Sequence, residues 1–152
     1  MDKKEAFNKA TAICARQEKC VSDIEKKLEQ WGVEDVSGVI ERLVAEKYID
    51  ERRFAGFFVR DKFRFNQWGR KKIQWHLLQK KLPRDIIGEA MDSINDEEYR
   101  EVLYSLLASK RRQINQSDPF KVKNSLLRFA GSRGFEYDYI INCLDSLSDD
   151  GL

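Results

Sequence analysis

The side chains best able to do chemistry in this sequence are basic, and they fall in two runs. Arg52, Arg53, Arg60, Arg64, Arg70, Lys71, Lys72, Lys80, Lys81 and Arg84 lie between residues 52 and 84, where Asp61 is the single acidic residue. Lys110, Arg111, Arg112, Lys121, Lys123, Arg128 and Arg133 form the second run, opposed only by Asp118. Arg60 and Arg64 are four apart and share one helix face, with Phe63 and Phe65 bracketing Arg64. The chemistry open to such groups is attraction of phosphate, which is electrostatic and largely blind to base sequence. A charge run usually forms a solvated face. Two runs in successive repeats, each after the same kind of helix, argue instead for a polyanion-binding surface.

Other chemistry has little to work with. His76 is the only histidine, and no serine or cysteine motif accompanies it as a nucleophile would require. The acidic pairs Glu34-Asp35, Glu97-Glu98 and Asp149-Asp150 fall at helix starts or in the tail, where capping and solubility account for them. Glycine-rich phosphate loops and zinc-ligand spacings are missing. The sequence therefore points to no catalytic residue, no metal and no cofactor. Cys14, Cys20 and Cys143 are odd in number and lack CxxC spacing, which suits a reducing cytoplasm better than a disulfide framework. A charged amino terminus and the lack of a long apolar run imply neither secretion nor a membrane span.

Net charge is +2, but it is unevenly distributed: −1 over residues 1–48, +6 over 49–91 and −3 over 92–152. The elements that carry it are repeats, which should be sought before any motif. Ile24-x-x-x-Leu28, Ile73-x-x-x-Leu77 and Val122-x-x-x-Leu126 recur at a spacing of 49 residues. After each comes a turn and then apolar residues at i, i+3, i+4 and i+7. The first set is Val36, Val39, Ile40 and Leu43. The second is Ile87, Ala90, Met91 and Ile94, and the third is Ile140, Cys143, Leu144 and Leu147. That spacing is one face of a helix. A further amphipathic segment precedes each pair: Phe54, Phe57 and Phe58 sit 49 residues before Leu103, Leu106 and Leu107, and Phe7, Ala10 and Cys14 are a weaker version.

The pattern predicts an all-α fold of three tandem three-helix repeats, over 1–48, 49–94 and 95–152, stacked into a curved, solenoid-like array. Two prolines and eight glycines leave few of the turns a β architecture needs. Expected boundaries are a capping box at Ser22-Asp23-Ile24-Glu25, an N-cap at Asp118 before Pro119, a left-handed stop at Gly32 and acceptors at Asn95-Asp96-Glu97-Glu98. Trp75 and Leu78 lie off the Ile73/Leu77 face, and packing between repeats is their expected role, with partner contact as the alternative.

With these residues in place, the sequence resembles the RecX family. The resemblance rests on Tyr48-Ile49-Asp50-Glu51-Arg52-Arg53-Phe54-Ala55, on Gly69-Arg70-Lys71-Lys72-Ile73 with Leu77, on Ser22 through Leu28 with Trp31-Gly32-Val33, and on Arg133-Gly134-Phe135. Lys81-Leu82 stands where that family commonly has a Gly–apolar pair, which implies a different turn there. The first helix carries only Arg16, where the family is arginine-rich. The resemblance implies a non-enzymatic modulator, generally an inhibitor, of the RecA recombinase, lying along the groove of a RecA–DNA filament; the chain itself is expected to be a cytoplasmic monomer. Two other classes fit the residues alone. A helix-turn-helix transcription regulator would use the third helix of a repeat, but those begin Glu34-Asp35, Arg84-Asp85 and Glu136-Tyr137-Asp138, placing acids against phosphates. A helical protein-binding scaffold would meet an acidic partner on the basic face.

Overall fold

The protein is described from a computed structural model covering residues 1–151. Among these residues nine α-helices and no strand form the regular structure. They are α1 (Lys3–Arg16), α2 (Val21–Gln30), α3 (Val36–Ala45), α4 (Glu51–Arg64), α5 (Arg70–Gln79), α6 (Arg84–Asp92), α7 (Asp96–Gln113), α8 (Pro119–Ser132) and α9 (Tyr137–Asp149). This is the all-α, three-by-three helix order expected from the 49-residue pattern.

By compactness the chain divides into two units. The first comprises Met1–Phe58 with Leu77–Ala90, and the second Val59–His76 with Met91–Leu152. In the first unit Ala6, Phe7 and Ala10 of α1 meet Ile24 and Leu28 of α2, Val39 and Leu43 of α3, and Val33 and Ile49 beside them. In the second, α7 packs on both α8 and α9. Its Tyr99, Leu103 and Leu107 are fully buried, and Val122 and Leu126 of α8 and Ile140 and Leu147 of α9 are buried too. All of these positions except Val33 and Ile49, which lie between helices, fall on the inward faces of their helices, so removal of apolar surface from water sets which face turns inward.

The helix ends are chemically specified. Asp118 accepts from the Phe120 N–H at 3.0 Å, with Pro119 in the first turn, and Asn95 accepts from the Glu98 N–H at 2.9 Å. One boundary differs from expectation. The N-cap of α2 is Cys20, and Asp23 accepts from the Cys20 N–H at 3.3 Å. Asp23 is thus the third helical residue and not part of a box begun by Ser22; the cap was missed because cysteine is not a usual acceptor there.

The turns after α2, α5 and α8 share one geometry. Gly32, Lys81 and Gly134 take φ of 71°, 62° and 94°. In each, the next residue donates back across the helix end: Val33 to the Leu28 carbonyl, Leu82 to that of Leu77, and Phe135 to that of Ala130. This is the six-to-one closure of a Schellman motif. The turn expected to differ at Lys81-Leu82 therefore does not, because Lys81 adopts the left-handed backbone that glycine adopts in the other two. That conformation crowds a Cβ and costs roughly 1–2 kcal/mol in an L-residue. Lys81→Gly should accordingly raise stability by up to about 1 kcal/mol, after the unfolded-state entropy of glycine is set against the relieved strain. A urea midpoint unchanged or lowered by the substitution would contradict this account.

Candidate nucleic-acid interface

The second unit holds twelve of the seventeen basic residues singled out from sequence, and their surroundings sort them. Arg70 is the most engaged. It begins α5, whose first turn is docked by its backbone. The Gly69 N–H donates to the Arg133 carbonyl at 2.7 Å, and the Lys71 N–H donates to that of Gly134 at 3.0 Å. Between them the Arg70 N–H donates to the Tyr99 hydroxyl at 2.9 Å. The first amides of a helix are ordinarily its anion site. Here three of them have internal acceptors, so the phosphate chemistry of this segment belongs to its side chains.

The Arg70 guanidinium lies 4.0 Å over the Tyr99 ring and pairs with Asp96 at 3.3 Å and Glu136 at 3.5 Å. Burial disfavours its charge, but hydrogen bonding with Tyr139 and the field of Glu136 outweigh that and hold its pKa above the ordinary value. The Tyr99 hydroxyl donates to the Glu136 carboxylate. Burial, and then this carboxylate, push the phenol far above its usual range. Asp96 accepts from the Tyr139 hydroxyl at 2.5 Å and from Arg100 at 2.9 Å, which together with Arg70 lower its carboxyl to about 2. Arg133 is also engaged, donating to the Asn66 carbonyl at 3.1 Å. Its guanidinium lies 4.9 Å over Phe129, with Lys110 at 5.2 Å from the same ring.

Other cations of the second unit are exposed. Arg60 and Arg64 end α4 in solvent, with Glu98 3.8 Å from Arg64. Lys71, Arg112, Lys121, Lys123 and Arg128 are solvent-facing, with no ion-pair partner among the described residues, whereas Arg111 is half-buried. Arg111 and Lys123 border an open groove of about 400 Å³ floored by Val122, Leu126, Leu144 and Leu147. Lys72 is half-buried, with its ammonium 4.6 Å from the Trp68 ring centroid. Lys62 comes within 4.9 Å of the same ring. It was not singled out from sequence, since it falls outside the Arg60–Arg64 spacing, and its signal was only its place in the basic run.

Of the five singled-out cations in the first unit, Arg52, Arg53 and Lys80 are held by carboxylates. Arg53 donates to Glu18 at 2.5 Å and to the Lys47 carbonyl at 3.2 Å, while Glu51 accepts from the Val21 N–H at 3.3 Å. Arg52 pairs with Asp85 at 3.6 Å and with Glu89. Lys80 donates to Asp23 at 3.0 Å, and although burial works against the Asp23 charge, this bond and one from Cys20 lower its pKa. Lys81 and Arg84 are exposed. The cysteine thiols are pushed up, first by burial, at Cys14, Cys20 and Cys143 alike, which disfavours the nucleophilic thiolate.

Two expectations about apolar residues are corrected. Trp75 exposes 56% of its surface and Leu78 40%, so neither is packed away between repeats. Phe57 is 44% exposed, because α4 turns Phe54, Ala55, Val59 and Phe63 inward instead.

These features define an all-α protein of three-helix repeats whose second unit carries exposed cations, five of them without an ion-pair partner among the described residues. Residues 50–91 match the family described as "RecX, second three-helix domain". Two proteins of Clostridium botulinum named "Regulatory protein RecX", from strains Eklund 17B and Alaska E43, are 30% and 31% identical over 139 residues, 90% of this chain and 64% of each relative. The crystal structure of RecX from Lactobacillus salivarius superposes with a TM-score of 0.87 over 96% of both chains, at 22% identity. The chain belongs to the RecX family. It spans a little under two thirds of the length of the clostridial relatives.

Two outcomes follow from the docked helix. A Cβ at Gly134 would lie 2.4 Å from the Lys72 Cβ, and Gly134 already sits at φ 94°. Gly134→Ala should therefore cost roughly 2–4 kcal/mol in urea unfolding, from strain and overpacking together, and a loss under about 1 kcal/mol would contradict the close approach. Asp96 titrates lower folded than unfolded, so its contribution is complete above its ordinary value of 3.8 and is lost as pH falls through about 2. The urea midpoint should drop between pH 5 and pH 2 by more in the parent protein than in Asp96→Asn. Equal drops would remove Asp96 from the account.

Proposed function

We propose that this chain binds a RecA–DNA filament and restrains the recombinase and ATPase activity of RecA. It acts as a cytoplasmic, monomeric regulator and not as an enzyme. Membership of a family whose relatives are named regulatory proteins supports this reading. Among the described residues no helix is long and apolar enough to cross a membrane. The observation that carries the DNA part is a set of exposed cations in the second unit with no ion-pair partner among the described residues: Lys71, Arg112, Lys121, Lys123 and Arg128. Such groups have no internal carboxylate to compete with phosphate, and each contact releases counterions on binding. Arg53 and Arg70, whose charges are met internally, contribute through the fold.

The helix-turn-helix reading is weakened by how the third helices begin. Asp35 accepts from the Gly38 N–H at 3.0 Å and pairs with Lys3 at 2.8 Å, while Glu136 receives Tyr99 and Arg70. Both acids stand at the helix start where a recognition helix would meet DNA.

The test is RecA ATPase on single-stranded DNA during titration with this protein. Inhibition is expected, and it should weaken when Lys71, Lys121, Lys123 and Arg128 are changed to Gln. The slope of log affinity against log salt should become shallower by roughly 0.7 for each lost contact. Changing Lys4, Lys19, Lys26 and Lys27 to Gln removes the same charge from the first unit and should have a smaller effect. Equal weakening in both variants would leave only a diffuse attraction, and unchanged RecA activity with the parent protein would overturn the reading.

A further inference from the structure

One exposed aromatic cluster has no role in the fold described above. Trp68 and His76 stack with ring centroids 4.6 Å apart and planes inclined by 27°. Trp75 meets His76 edge-on at 5.0 Å and 82°. The cluster is flanked by charge: the Lys62 and Lys72 ammonium groups lie 4.9 and 4.6 Å from the Trp68 ring centroid. Lys71 and Trp75 are both exposed and four residues apart on α5, hence neighbours on one face. All of these residues belong to the second unit.

A tryptophan left more than half exposed forgoes burial that the core would otherwise gain, and exposed aromatic surface rimmed by polar groups marks an interaction site. The chemistry around the ring selects the partner. A purely apolar partner would bring no counter-charge for Lys71 and Lys72. A duplex would offer those lysines its phosphates but keep its base faces stacked and out of reach of the indole. A single strand offers both, since every unpaired base has a free face and every linkage a phosphate. His76, itself stacked on Trp68, meets the Trp75 ring and restricts its rotation, so a base would meet a ring already held in place.

We infer that the Trp75 ring, held by the His76 ring that stacks on Trp68 and lying beside Lys71, is a base-stacking site for single-stranded DNA. The inference rests on the filament reading for its choice of DNA and adds to it a contact that is not electrostatic.

Fluorescence anisotropy with two labelled strands of equal length and charge tests it on the unaltered protein. One strand is oligothymidylate, and the other is an abasic deoxyribose-phosphate chain. Oligothymidylate should bind more tightly. Trp75→Ala should weaken its binding by roughly five- to a hundredfold, the range typical of one base–aromatic stack, and bring it to the abasic level. Trp75→Phe should retain most of the affinity. The salt slope should be the same in Trp75→Ala as in the parent, because no cation is lost, while Lys71→Gln should lower it by about 0.7. Equal affinity for the two strands, no detectable binding of either, or full affinity in Trp75→Ala would each overturn the stacking site. RecA ATPase measured alongside keeps the two readings apart. If the parent inhibits RecA yet fails the strand comparison, the filament reading stands and this one falls. If Trp75→Ala relieves inhibition without losing oligothymidylate, the ring meets protein and the stacking site again falls.

Discussion

The second unit depends on how the first turn of α5 is held. Its amides are received by two carbonyls of the Arg133–Gly134 turn and by the Tyr99 hydroxyl. Backbone can approach backbone this closely only where side chains are missing, and both surfaces have a glycine at the contact. A Cβ on Gly69 would stand 2.3 Å from the Phe135 nitrogen. Once the turn is docked, the rest of the helix has no freedom of rotation. Ile73 and Leu77 face inward, Arg70 enters the cage of Asp96, Glu136, Tyr99 and Tyr139, and Lys71 and Trp75 face water. A helix start that would otherwise be a phosphate site is thus used to aim the side chains that flank it.

This arrangement explains why the two kinds of arginine look alike in a sequence and differ in the molecule. Arg70 and Lys71 are adjacent, yet one meets two carboxylates and the other none among the described residues. The acids that claim Arg70 come from residues 96 and 136, and the acid that claims Arg53 comes from residue 18. No local pattern carries that information. An arginine held by carboxylates at a partly buried site stiffens the fold through geometry and hydrogen bonding, while exposed pairs such as Arg52 with Asp85 contribute little.

Elements with a local cause were legible in the sequence. The 3.6-residue spacing placed the inward faces of α3, α6 and α9, and Asp118, Asn95 and Gly32 marked helix ends by chemistry acting within a few residues. What was not legible depended on the tertiary environment. Lys81 enters the left-handed region because the turn demands it, although lysine gives no sign of this. Trp75 reads as a core residue by type and is a surface residue in fact, since which side of α5 faces out is decided by the Gly69 contact with a turn more than sixty residues away. Of the candidate site, the concentration of charge was visible, but the division into engaged and available cations was not.

The two kinds of contact proposed for the second unit respond differently to solution conditions. Attraction of exposed lysines for phosphate is screened within about 8 Å at physiological ionic strength and weakens steeply with salt. Stacking of an indole on a base buries apolar surface and is nearly indifferent to salt. A protein with only the first would follow any polyanion, duplex or single strand. A rigid ring beside the lysines adds a preference for unpaired bases without requiring any particular sequence. Modest contacts of both kinds, repeated along a partner that presents its sites periodically, combine by effective concentration, so no single one needs to be strong. Loss of a few neighbouring sites would likewise lower the combined affinity far more than it lowers any one of them.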